Sequence, residues 1–292
     1  MLEPTEFTQR LFNELVHDPY KQHRRTHAWE KLVVQKDEDF HRKNILKQGR
    51  ADFTKPLVID SYTLPIEDIV LVYCYQYMCM HWVSTHFVHW RNADTLTKYL
   101  TPINSRIVFV DFGCGPMTAG AASYKALDRS YPELGVSYTY IGIDNAPAML
   151  AKARTFASYP MLFSNRCTFR YVSSWDILIP KINQLNFSHS ASTIILNFTY
   201  LFASISLDSD ELAKIIIELS KICSQHPIFI VQQNPSLLAL NEKWNRFKLH
   251  MSDTFSSLVE TECTIDYQDA ITSNVKPPIK LYYEILENRR LP

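Results

Sequence analysis

The chain is 292 residues long, 46% apolar and 21% charged, and its thirty basic residues are balanced by thirty acidic ones. That is the composition of a globular protein with one large domain, or a core with a smaller region attached; collagen-like, disordered and disulfide-scaffold classes are excluded. Zero formal charge also excludes an electrostatic grip on nucleic acid spread over the whole chain, leaving only local patches for that purpose.

From the N-terminus, Pro4 and Thr5 open a helix over about 5–16, and a second helix is expected over 26–48. Between Pro19 and Arg50 nine basic residues stand against four acidic ones. Such a run reads as a solvated helical face, with a polyanion-binding patch as the alternative. Residues 56–65, bounded by prolines, form a connector. Glu67 and Asp68 then supply first-turn acids for a long helix over 67–90. Its stretch 69–90 carries no formal charge, but Gln76, His81, His86 and His89 point to a buried helix rather than a membrane span. The three histidines fan over about 140° of the helix, too wide for a metal triad.

Beyond residue 105 short apolar runs alternate with helical patterns. Strands at 106–112, 137–144, 167–173, 192–198 and 227–234 are separated by helices at 117–131, 147–157 and 207–225. A helix over 237–258 and two β-stretches, 260–268 and 279–286, close the chain. This alternation predicts an α/β fold with a doubly wound parallel sheet, and the closing pair predicts an antiparallel strand added at the end. Cysteines 74, 79, 114, 167, 223 and 263 show neither CxxC nor zinc spacing, so free thiols in a reducing, cytoplasmic compartment and no metal site are expected. The opening MLEPTEFTQRLF has no apolar h-region, and no signal peptide is expected.

One loop carries the chemistry. Asp111-Phe-Gly113-Cys-Gly115-Pro-Met117 follows strand 106–112, where a doubly wound sheet places its ligand loop. Gly113 and Gly115 let the backbone turn sharply and leave room for a ligand. A carboxylate two residues before the first glycine repels a pyrophosphate and attracts a sulfonium or ammonium group. The third glycine of the dinucleotide pattern is missing, and Asp144 lies 29 positions past Gly115 (144 − 115), where about 20 suits a nicotinamide site. A nicotinamide-dependent oxidoreductase fails on both counts.

Asp111-Phe-Gly113-Cys-Gly115-Pro, followed by Gly142-Ile-Asp144-Asn-Ala-Pro147-Ala-Met149-Leu150, resembles motif I and the next acidic motif of the class I S-adenosylmethionine-dependent methyltransferases. The resemblance covers about 105–290 and implies a seven-stranded Rossmann-like sheet with the last strand antiparallel, S-adenosylmethionine as cofactor, and methyl transfer as activity. By position it implies that Asp111, Gly113 and Gly115 line the methionyl moiety and that Asp144 takes the ribose hydroxyls. It likewise implies that Asn145 and Met149 flank the adenine, and that Ser174, Trp175 and Asp176 form the segment whose acid meets the adenine amino group. Met117 departs from the pattern, since many members keep a third glycine there.

Asn197-Phe-Thr-Tyr200 keeps the first and last residues of the N-P-P-Y pattern of amino-methyltransferases and lacks both prolines; Asn197 and Tyr200 are the catalytic candidates. The expected organisation is a helical cap over 1–100 that bears on the substrate and a cofactor-binding domain over 101–292. A small molecule or short peptide methylated on O or N is the expected acceptor. RNA or a ribosomal particle held by 19–50 is one alternative, and a non-catalytic cofactor-binding protein is the other.

Overall fold

The computed structural model describes residues 1–24, 26–101, 106–132, 135–184 and 192–289. Before residue 100 the chain is largely helical. Helix α1 begins at Glu6, where the Thr5 hydroxyl accepts the Thr8 amide and satisfies one of the open donors of the first turn. Rather than stopping near residue 16, it runs through a π-helical stretch, Asn13–His17, into Asp18–Lys21. The single helix expected over 26–48 is two: α2 (His27–Trp29 with Glu30–Val34) and α3 (Glu38–Phe40 with His41–Ile45). Asp37 makes the break. Its carboxylate accepts the Phe40 amide at 2.8 Å, a local bond that starts a new helix in competition with continuing the old one. The connector is a small hairpin, β1 (Leu57–Ile59) and β2 (Tyr62–Leu64).

Helix α4 (Ile66–Arg91) is followed by the short α5 (Ala93–Thr97). Apolar residues surround α4 on all sides, as in a helix buried from several directions. Val70, Cys74, Met78 and Trp82 pack with Leu11, Phe12 and Val16 of α1, while Val88 joins the core on the sheet face. Among the described residues no helix is long and apolar enough to cross a membrane.

The main sheet has seven strands: β3 (Arg106–Phe112), β4 (Ser137–Ile143), β5 (Cys167–Val172), β6 (Ser192–Thr199), β7 (Ile228–Pro235), β8 (Phe255–Gln268) and β9 (Val275–Asn288). Their order is β5-β4-β3-β6-β7-β9-β8. β3 to β7 are parallel, and β9 runs antiparallel to both its neighbours. The helices between strands are α6 (Thr118–Ser130), α7 (Pro147–Ala157), α8 (Leu178–Asn183), α9 (Ser209–Ile222) and α10 (Leu238–Met251). α10 ends seven residues earlier than the expected 258. Phe255 is buried in the core and Ser256 onward pairs with β9, so the ladder claims residues that periodicity alone assigns to the helix.

Alternation along the strands splits the core into two layers. Val108, Val110 and Phe112 face Leu212, Ile216, Trp244 and Phe247 of α9 and α10. Ile107 and Phe109 face Val88 of α4 and Tyr124 and Leu127 of α6. Each such side chain contributes about 1.5–3 kcal/mol on leaving water. From β3 the chain works outward through β4 to β5, then returns to β6 on the other side of β3. That reversal opens a crevice at the carboxyl ends of β3 and β6, the place where open α/β sheets bind ligands.

Candidate active site at the carboxyl ends of β3, β4 and β6

The crevice is built on a turn held in left-handed backbone. Gly113, Gly115 and Met117 have φ of +65°, +51° and +71°. Met117 therefore keeps the glycine conformation without the glycine, at a cost of about 1–2 kcal/mol. Its side chain is buried, and the Tyr171 hydroxyl donates to its sulfur at 3.5 Å. Two bonds pin the turn to β4: Cys114 N–H to the Ile143 carbonyl and Gly115 N–H to Asp144 Oδ2, both at 2.9 Å. Asp144 Oδ1 accepts the Ala146 amide at 2.9 Å. Burial raises the Asp144 carboxyl above the ordinary carboxylate range, and the two amides oppose that shift. A β-carbon on Gly115 would meet nothing within 4 Å, so open space lies against this stretch of backbone beside an acidic residue. That arrangement fits the ribose end of S-adenosylmethionine.

Asp111 lies behind the turn and is buried. Tyr140 Oη donates to its Oδ2 at 2.9 Å and Asn197 Nδ2 to its Oδ1 at 2.7 Å. Burial nevertheless pushes its carboxyl up to about 7. Parallel register brings these partners together, since Asp111 sits opposite Gly142 on one side and Asn197 on the other. Tyr140 reaches Asp111 because two glycines make room for its ring: a β-carbon on Gly120 or Gly142 would lie 2.1 Å or 2.8 Å from it. A glycine inside a strand marks such a close approach, and Gly142 was the sequence signal for it.

Asn197 is fully buried with its amide committed to Asp111 and, at 2.9 Å, to Thr199 Oγ1. Its amide thus faces the Asp111 carboxylate. Tyr200 turns out of β6 with φ +58° and stacks on His81 of α4, ring centroids 4.3 Å apart. Its hydroxyl donates to Ser84 Oγ at 3.0 Å, which also receives Gln233 Nε2 at 3.1 Å. Tyr73 Oη lies 3.2 Å from His81 Nδ1. Burial pushes the His81 imidazole down to about 3, so it is neutral at physiological pH. Burial also raises the Tyr73 hydroxyl, with Cys74 and the Asp144 carboxylate adding to the shift. These rings therefore form a wall running from the Asp144 end of the crevice to the end of β6.

Other candidates are placed less centrally. Asn145 is exposed beside Asp144. Met149 is buried among Phe12, Trp82 and Phe156. Ser174 caps the turn Trp175–Ile177 and donates to Asp176 Oδ2 at 3.0 Å, while Trp175 packs on the α9 side of the core. Among the described residues no hydrogen bond joins this segment to Asp144, and no group of three His, Cys, Asp or Glu residues is arranged to hold a metal. Two residues that sequence reasoning passed over complete the site. Leu201 lies over the turn, its Cδ1 2.9 Å from where a Gly113 β-carbon would stand. Lys243 of α10 donates to the carbonyls of Ser204, Ile205 and Leu207 at 2.7–2.8 Å, fixing the loop that follows Leu201.

A parallel sheet reversing between β3 and β6, with an antiparallel β9 inserted beside β7, is the arrangement that the motif resemblance implies. The chain has the Rossmann-like fold of the class I methyltransferases. No protein-family model matches the sequence, and no curated protein matches it. Among solved structures, it is similar to an S-adenosylmethionine-dependent methyltransferase from Anabaena variabilis, at 13% identity over 82% of this chain and 100% of that one, with TM-score 0.40. It is also similar to loganic acid methyltransferase with S-adenosylhomocysteine (11%, 73% and 95%, 0.42) and to a candidate RNA methyltransferase from Pyrococcus horikoshii (9%, 85% and 97%, 0.39). Likeness at this level carries no chemistry over to the chain. The geometry of the Gly113–Met117 turn has to supply it.

Proposed function

We propose that the chain is an S-adenosylmethionine-dependent methyltransferase acting on a small, planar acceptor. The observation that carries the reading is the left-handed turn at Gly113, Gly115 and Met117, pinned to Asp144 and backed by the buried Asp111. Asp144, at the end of β4, takes the ribose hydroxyls as a bidentate acceptor. Asp111, in its ionised form, stabilises the positive charge of the methionyl end, and Tyr140 and Asn197 hold it in place. When bound, S-adenosylmethionine would supply a methyl group on a sulfonium, which would leave as a neutral thioether while the O or N acceptor gives up its proton to solvent. Positioning and exclusion of water then account for most of what the protein contributes.

The ring wall supports a planar acceptor. Tyr77, His81 and Tyr200 stack in sequence, with His81 and Tyr77 inclined by only 9°. In the tautomer where Tyr73 donates to Nδ1, His81 presents an Nε2–H donor that orients an acceptor oxygen, and its low basicity keeps it from acting as a base. The pairs Arg42–Glu38 and Lys43–Asp39 hold two of the nine basic residues over 19–50, and the local excess of five (9 − 4) keeps RNA as the second reading. Calorimetry with S-adenosylmethionine, S-adenosylhomocysteine and a nicotinamide dinucleotide tests the cofactor. The first two should bind and the third should not; binding of the nicotinamide dinucleotide alone would overturn the proposal. Tritiated-methyl transfer to fractionated small-molecule and RNA extracts tests the acceptor class.

A further inference from the structure

A cavity of about 480 Å³, whose lining includes no residue of the Gly113 turn, lies between the N-terminal segment, α4, the second half of α6 and the end of β8. That volume is within the range of small-molecule sites, about 300–1,000 Å³. Its floor is apolar and aromatic: Phe7, Phe12, Trp82 and Val83 line it. Leu2 closes one side by pairing its backbone with β8, Leu2 N–H to Asp266 O at 2.7 Å and Gln268 N–H to Leu2 O at 2.9 Å.

The polar residues gather on one side, and most are donors. Lys125 and Arg129, one turn apart on α6, line the cavity together with His86 of α4. The Arg129 guanidinium has neither a hydrogen bond nor an ion pair among the described residues, and neither ring nitrogen of His86 has a partner there. Lys125 Nζ donates to the Met161 carbonyl at 2.8 Å and stands over the Phe7 ring, with the Asp128 carboxylate favouring its charge. Two carboxylates also border the space. Asp128 accepts the Tyr124 hydroxyl at 3.5 Å, and Glu3 is exposed at the rim. A guanidinium that makes no ion pair among the described residues, with an ammonium and an imidazole beside it and an apolar floor below, suits a molecule with an anionic head and an apolar body, the two carboxylates lying at the border of the space.

We propose that this cavity binds a small amphipathic carboxylate, its apolar chain on Trp82, Phe12 and Phe7 and its carboxylate on Arg129, with His86 and Lys125 as further donors. The site is separate from the proposed methyl-transfer crevice and does not depend on that reading.

Decanoate is the probe, titrated calorimetrically into the full chain, with 1-decanol as the uncharged control and thermal melting as the check on folding. Decanoate should bind at one site at least tenfold more tightly than 1-decanol. Arg129→Met, on an exposed position, should fold normally and weaken decanoate by about tenfold while leaving 1-decanol unchanged. Val83→Trp should fill the floor and abolish both. No decanoate binding, equal affinity for the alcohol, or unchanged binding in either folded variant would overturn the proposal.

Discussion

At the scale of single residues, Asp111 gives the sharpest test. Burial pushes its carboxyl up to about 7 in the folded chain from an ordinary value of 3.8, so the folded state binds this proton more tightly than the unfolded state. Its contribution to stability is intact below about pH 4 and is lost as the pH rises through 7. Burial lowers the imidazoles of His41, His81, His86, His89 and His226, which act in the opposite direction and are common to both chains. The test is therefore the difference between the chains: unliganded Asp111→Asn should gain melting temperature relative to the parent chain between pH 5 and pH 8. Cofactor binding runs the other way, because the sulfonium and ammonium charges favour the carboxylate. Affinity for S-adenosylmethionine should rise between pH 6 and pH 8 in the parent chain and lose that dependence in Asp111→Asn, as read by calorimetry. Met117→Gly sets two effects against each other. Removing the left-handed strain returns about 1–2 kcal/mol, whereas emptying a buried methionine site costs about 2–5 kcal/mol. The loss should win, with a net destabilisation of about 2 kcal/mol, within a range of about 0–4, in denaturant melts. Asp111, Gly113 and Gly115 were legible together because they are close in sequence, and Asp144 because it ends the next expected strand as part of a second motif. Tyr140 and Asn197 were not legible as partners of Asp111, since they lie 29 and 86 residues away and meet it only through strand register.

At the scale of elements, periodicity located the strands and most helices but misjudged their ends. The helix expected over 26–48 splits because Asp37 caps a new start, and α10 yields at Met251 to a ladder formed with β9, which is distant in sequence from residues 255–259. The first contest is decided by a local cap, the second by tertiary pairing, which local propensity does not contain. The segment after β6 shows the same dependence. Tyr200 stacks on α4, Leu201 covers Gly113, and Lys243 then ties the loop to α10 through three carbonyl oxygens. An ammonium that donates three times is fully satisfied, so removing it leaves three carbonyls to find other partners. Lys243→Met should cost about 1.5–3 kcal/mol, the range for a hydrogen bond to a charged group. It should also speed amide exchange over 201–207 and weaken cofactor binding, because the cover over the Gly113 turn is no longer anchored. Lys243→Arg should recover part of both effects. Slow exchange in the methionine variant would show that the loop is held by Leu201 and Phe202 packing instead.

At the scale of the whole molecule, the decisive element is α4. Its apolar residues encircle it, so the sequence announced burial without a direction. Across the structure it does two things at once. Its first half brings Tyr73, Tyr77 and His81 to the strand ends, and its second half lies in the helical layer beside α6, where Val88 and His89 meet Phe109 and its neighbours on the sheet face. The helices before residue 100 thus supply both a wall of the crevice and part of the core that the sheet needs. Deleting 1–100 would uncover Phe109, Ile195 and Phe229 on that face and the α1-facing sides of Ala121, Ala122 and Phe156, a contiguous apolar surface of the kind that drives association. The fragment 101–292 should accordingly be insoluble, or soluble only as an aggregate without a cooperative melting transition. Size-exclusion chromatography and calorimetric melting of the purified fragment decide the matter. A monomeric fragment with one sharp transition would mean that residues 1–100 are an attached module. It would also place the ring wall of Tyr73, Tyr77 and His81 outside the catalytic domain's own folding unit.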